Sequence, residues 1–245
     1  MNKIIEIKNI SKSFGSNRIL ENVSLDIFSG EVICIIGRSG IGKSVLVKHI
    51  NRLIEPDNGI ILFHGKEINK LNKKELYSIR KKIGFLFQSG ALFDSMNVFE
   101  NLALPLIKHT NFDNVKISKL VSEKLEMVGM PGVEKLMPSE LSGGMRKRVG
   151  LARTIILEPE VIIYDEPTTG LDPVMSDTIN QLINSLNNRL KVTSIVITHD
   201  MKTVETVADS VAMIHDRQII FYGSKEQFFR NDNENVKNFI RGISS

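Results

Sequence analysis

Residues 37–44 read GRSGIGKS and fit the spacing G-x-x-x-x-G-K-S. A phosphate tail is polyanionic, so its host must offer many N–H donors at close range. Glycine lets backbone approach without a Cβ, and a helix N-terminus adds partial positive charge. Gly37, Gly40 and Gly42 give this loop that freedom. Arg38, Ser39 and Ile41 between them, and Val45 just beyond, share the same backbone cradle. Lys43 can reach β- and γ-phosphates, and the Ser44 hydroxyl can bind Mg²⁺. Further along, the apolar run 161–164 ends in Asp165 and Glu166. Carboxylates at the end of a buried strand are costly unless they act. Asp165 is placed to hold Mg²⁺, often through water, and Glu166 to polarise an attacking water as general base. Alone, this second stretch also fits a strand end with exposed acids; beside a phosphate loop it reads as the other half of a nucleotide site.

The rest of the chain must hold these residues in place. Residues 4–7 and 23–27 alternate apolar and polar, and 31–36 is a nearly continuous apolar run suited to a buried strand. The glycine loop follows that strand and precedes 43–52, which has helical spacing, as phosphate binding requires. Residues 66–82 are polar and helix-prone, and 83–87 returns to strand character. From 89 to 157 strand signals vanish and helical periodicity dominates, as at 116–128 and 142–157. Strands resume at 161–164 and 194–198, with a helix around 174–190 between them. An α/β core interrupted by a helical insertion is the expectation. Residues 231–245 form a polar tail, expected to fray at its last few residues.

Composition narrows the class. The chain of 245 residues is long enough for one large α/β domain, and its 42% hydrophobic and 24% charged residues are ordinary for a globular protein. No apolar run approaches the roughly 18 residues needed to cross a bilayer. The opening MNKIIEIKNI has Lys3, Glu6 and Lys8 within its apolar stretch, so it is not expected to be a secretory signal. The one cysteine, Cys34, lies in the apolar run 32–36 and reads as a small packed hydrophobe; no disulfide can form within one chain, which suits a reducing cytosol. A net charge of +4 is small and spread out, and reads as solvated surface lysines.

The stretch LSGGM at 141–145, followed by Arg146, Lys147 and Arg148, resembles the signature loop of ATP-binding cassette (ABC) ATPases. Ser142, Gly143 and Gly144 put a hydroxyl and bare backbone at the start of a helix, again an anion site, although a plain helix cap would use the same residues. The resemblance implies a P-loop NTPase core with an N-terminal antiparallel β subdomain and an inserted helical subdomain. The division is then a single domain over 1–245: core 1–87 and 158–230, helical subdomain 88–157 with the signature loop, and tail 231–245. It implies ATP and Mg²⁺ as ligands, and a homodimer in which the signature loop of one chain caps the γ-phosphate held by its partner. Gln88 matches the glutamine that contacts Mg²⁺ and the attacking water. Asp172, in TGLDP, matches an aspartate loop that crosses the dimer interface. His199 matches the histidine that contacts the γ-phosphate and steadies Glu166, and Phe14 sits where the family stacks a ring on adenine.

A narrower resemblance rests on QSGALFDSMNVFENLALPL at 88–106, LSGGMRKRVGLAR and DEPTTGLDP, which are similar to cassette subunits of the Mla and Mkl type. Such subunits work with integral membrane permeases and an MCE-type substrate-binding protein in phospholipid transport. That implies a peripheral protein on the cytoplasmic face of a bacterial inner membrane, with no nucleic acid as partner. The segment 89–98 would carry closure to the permease, with Leu92 and Phe93 exposed on it to meet a partner helix; the alternative is that the two fold back into the helical insertion. One departure from the family is His215-Asp216-Arg217 where a glycine is common, expected to alter a surface turn. Alternatives are the same ATPase serving another passenger (a ribonucleotide, another small solute or a lipoprotein), a cassette acting on DNA or ribosomes, and a P-loop kinase. The last lacks LSGGM; cassettes of the DNA or ribosome class usually carry a long coiled-coil insertion or a second cassette, absent here.

Overall fold

The computed structural model describes residues 2–243. It begins with an antiparallel hairpin, β1 (Lys3–Phe14) and β2 (Asn17–Phe28), both longer than their alternating stretches at 4–7 and 23–27. Cross-strand pairing sustains extended backbone past the point where apolar alternation stops. The fully buried β3 (Val32–Ile36) leads through the glycine loop into α1 (Lys43–Ile50). Next come β4 (Asn58–Phe63) and the short β5 (Lys66–Glu67), so the polar stretch at 66–82 starts as a strand and turns helical only at α2 (Lys73–Lys82). Asn72 starts that helix, bonding the Glu75 N–H while the Glu75 carboxylate bonds back.

After β6 (Ile83–Leu86) come α3 (Val98–His109), α4 (Asn114–Met127) and α5 (Gly143–Thr154), with no strand among these described residues until β7 (Val161–Asp165). The chain continues through α6 (Pro173–Leu190), β8 (Thr193–Thr198), α7 (Met201–Val207), β9 (Ser210–His215), β10 (Gln218–Ser224), α8 (Lys225–Phe229) and α9 (Glu234–Ile240). The tail read as merely polar therefore holds a docked helix. Val236 is fully buried, with Phe239 and Ile240 packed beside it on the face that i, i+3, i+4 spacing dictates. The fraying expected at the very end falls on residues 244–245, outside the described residues.

Two sheets result. One is antiparallel, in the order β2-β1-β4-β5; the other runs β10-β9-β3-β8-β7-β6, parallel except for β10 at its edge. Alternation along β3 divides the core: Ile33 and Ile35 face the layer shared with the antiparallel sheet, and Cys34 and Ile36 face the layer of helices. The register aligns Ile36 with Thr198 and Asp165 with Ile197. The carboxyl ends of β3, β7 and β8 thus lie side by side, where open α/β sheets hold ligands.

Candidate nucleotide site

Everything that leaves those strand ends converges. The glycine loop follows β3, Gln88 follows β6, Glu166 follows β7 and His199 follows β8. Gly37 has φ +149°, and a Cβ there would stand 2.6 Å from the Ile214 carbonyl oxygen, so only glycine lets the loop leave the strand along this path. Gly42 begins α1 with no side-chain cap, which leaves the first N–H groups of the helix available to an anion.

Lys43 is 5% exposed and bends back on its own loop, donating to the carbonyls of Gly37 (2.8 Å) and Arg38 (3.0 Å). Its Nζ is also 3.4 Å from Glu166 Oε1. Burial lowers its pKa, and the Glu166 and Asp165 carboxylates oppose that shift. The Ser44 hydroxyl donates to Asp165 Oδ1 at 2.7 Å. This pairing of a hydroxyl with a carboxylate offers the hard oxygens Mg²⁺ prefers. Among the described residues no group of three or more His, Cys, Asp or Glu could hold a metal.

Glu166 has φ +51°, a left-handed backbone that costs a non-glycine residue about 1–3 kcal/mol and is held here by the surrounding turn. Its N–H donates to the Ile197 carbonyl (3.0 Å), and the Thr169 N–H donates to its own carbonyl (3.3 Å). Its carboxylate is thereby aimed between Lys43, the Thr169 hydroxyl (3.1 Å) and His199 Nδ1 (2.9 Å). All four line one cleft of about 380 Å³. Ser39, Gly40, Gly42, Ser44 and Val45 form its floor, with Gln88 on one wall. Phe14, 51% exposed with Lys12 Nζ 5.4 Å from its ring centroid, stands at its mouth.

Gly37, Arg38 and Ile41 belong to the loop behind this lining, and Asp165 touches it through Ser44. Ser142, Gly143, Gly144 and Asp172 lie elsewhere, where α5 meets α6. The Ser142 hydroxyl accepts from the Met145 N–H (3.3 Å), Asp172 accepts from the N–H groups of Val174 and Met175 (3.0 Å each), and a Cβ on Gly144 would meet Met175 at 2.4 Å. Of the apolar pair on the loop after Gln88, Phe93 is half exposed, its ring 5.7 Å from the Arg153 guanidinium, but Leu92 packs against the core instead of standing free. Asp216 and Arg217 both take positive φ (44° and 68°), so the glycine-less turn between β9 and β10 keeps a left-handed hairpin path.

Two contributors escaped the sequence reading. Thr169 was legible only as part of DEPTTGLDP. Lys147 reads as one solvated base in an RKR run, yet it is buried and bonded to the carbonyls of Pro167 and Thr169. Its helical spacing from the buried Gly144 and Leu151 was the available signal.

Fold and cleft together define a P-loop nucleotide hydrolase. Residues 20–169 match the ABC transporter family, and the chain belongs to it as an ATP-binding, ATP-hydrolysing cassette. It is 45% identical, over 99% of its length and 70% of the other's, to the probable ribonucleotide transport ATP-binding protein mkl of Mycobacterium leprae. It is 44% identical, over 98% of its length and 91% of the other's, to the intermembrane phospholipid transport system ATP-binding protein MlaF of Haemophilus influenzae. The ATP-binding cassette MJ0796, solved as a dimer in a post-hydrolysis state with ADP and Pi, superposes with a TM-score of 0.82 at 31% identity, covering 90% of this chain and 98% of that one.

Proposed function

We propose that this chain is the ATPase of an Mla-type phospholipid transport system, closing as a homodimer on ATP to drive separate permease subunits together with an MCE-type protein. The observation that carries the hydrolytic part is the left-handed Glu166, whose carboxylate meets Lys43, Thr169 and His199 in one cleft. In this reading Lys43 exchanges its two loop carbonyls for β- and γ-phosphate oxygens, and Phe14 stacks on adenine. Glu166 takes the proton of the attacking water, with His199 steadying its carboxylate and Gln88 orienting the water. Mg²⁺, held by Ser44, Asp165 and Gln88, would neutralise charge developing on the phosphates. Ser142, Gly143 and Gly144 would reach the partner's γ-phosphate, and Asp172 would cross the interface. The division into core, helical subdomain 88–157 and tail belongs to the same reading.

The lipid passenger is supported by the likeness to MlaF over 91% of that protein's length. The mycobacterial relative's name favours a ribonucleotide instead. Among the described residues no helix is long and apolar enough to cross a membrane, so attachment to the inner membrane's cytoplasmic face would come through the permease. Affinity purification in mild detergent tests the assembly. Co-purifying permease, MCE protein and phospholipid are expected; ribosomes or DNA in their place would overturn it.

A further inference from the structure

Lys147 keeps an ammonium almost entirely out of water: it is 5% exposed, on the helix that opens with the signature loop. Its Nζ donates to the carbonyls of Pro167 (2.8 Å) and Thr169 (2.6 Å), both in the turn that follows Glu166. Burial lowers its pKa, and the charge opposing that shift is the Glu166 carboxylate. A dry ammonium is a costly way to pack a helix against a turn, where an apolar side chain would do. From the turn, two bonds run on to Glu166: the Thr169 hydroxyl to its Oε2 (3.1 Å) and the Thr169 N–H to its carbonyl (3.3 Å). Thr169 therefore has its carbonyl on Lys147 and its hydroxyl on the carboxylate.

We propose that Lys147 is a positioning residue that couples the signature helix α5 to the carboxylate of Glu166 in the same chain, with Thr169 as the link. A shift of α5, when its signature loop engages the partner's nucleotide, is passed through the ammonium to the 167–169 turn and re-aims Glu166 in its own cleft. Lys147 does not line that cleft, so it acts through Glu166 and not on the nucleotide. The proposal rests on the reading of Glu166 as general base.

Lys147→Met keeps an unbranched side chain, one atom shorter, and removes its charge and donors. Steady-state ATPase measurements are expected to show kcat falling about ten- to hundredfold, the scale of a slight misplacement of a catalytic group. KM for ATP is expected to stay within about twofold, because the phosphate loop is untouched. Lys147→Arg, which keeps charge and donors, is expected to recover most of kcat. An unchanged kcat in Lys147→Met would overturn the coupling, as would equal losses in kcat and KM that Lys147→Arg fails to rescue. Should Lys147→Met not fold, Thr169→Val removes only the hydroxyl link and must lower kcat at constant KM; wild-type turnover in it overturns the proposal. Glu166→Gln, measured alongside, separates the two ideas. Full activity there sinks the base assignment itself, whereas an inactive Glu166→Gln beside normal Lys147→Met and Thr169→Val sinks only the coupling.

Discussion

Two sets of helix N-termini in this molecule are finished in opposite ways. At α1 the starting residue is Gly42, which offers no side-chain cap, and the neighbouring charges Lys43, Asp165 and Glu166 are gathered around the open N–H groups. At the corner of α5 and α6 the helices cap themselves, with Ser142 bonded to Met145 and Asp172 to Val174 and Met175. An uncapped helix start leaves all its first N–H groups to an external anion; a cap pairs one or two of them and leaves the rest. The first region is thus a cleft that one chain assembles unaided. The second stands largely exposed, with Ser142, Gly143 and Asp172 at the surface, and contributes no lining to that cleft.

Glu166→Gln strikes the first region hardest. Loss of a general base lowers turnover by about 10²–10⁴-fold, while ATP binding persists and the dimer is trapped, which light scattering with and without ATP will show. Gly143→Asp probes the second region, where an added Cβ meets only Leu171 at 4.0 Å and is sterically tolerated. A carboxylate there should repel the partner's phosphate, cutting ATPase by about 10²-fold while single-chain ATP binding, followed by a fluorescent analogue, stays near normal. Mixing Gly143→Asp with Lys43→Ala chains sharpens the contrast: one composite site should be restored, so the mixture should outperform either variant alone. If it does not, the two regions do not share a nucleotide.

Phe14→Ala should raise KM for ATP about tenfold with kcat little changed, given that stacking of a base on an aromatic ring contributes about 1–3 kcal/mol. Smallest for activity is Val236→Ala in α9, remote from both regions. It should lower stability by about 1–3 kcal/mol through the cavity left behind, seen as a lower Tm, with ATPase parameters unchanged at temperatures where the chain is folded.

Much of the cleft was legible because each part is a short local signal. Glycines at 37, 40 and 42 announce a backbone that must come close to something, and acids at 165 and 166 after an apolar run announce a strand that ends in chemistry. The buried β3, β7 and β8 were visible as apolar runs, and the helical insertion as a change of period. Less visible were features that depend on what lies across from them. The β1–β2 hairpin outruns its alternation because pairing sustains it, α9 hides among polar residues because only Val236, Phe239 and Ile240 reach the core, and Leu92 turns inward to meet that core.

Residue types and spacing by themselves determined the chemistry, because phosphate binding needs bare backbone, a lysine and a hydroxyl within one loop, all contiguous in sequence. The family resemblance already pairs His199 with Glu166, and only the tertiary structure adds Lys43, Thr169 and Lys147 to the groups that reach it. Lys43, Thr169 and His199 meet its carboxylate, and Lys147 reaches it through a turn, because parallel strands align their carboxyl ends and α5 packs over them. No local pattern encodes that meeting: it arises from long-range register, which brings residues far apart in the chain within hydrogen-bond distance.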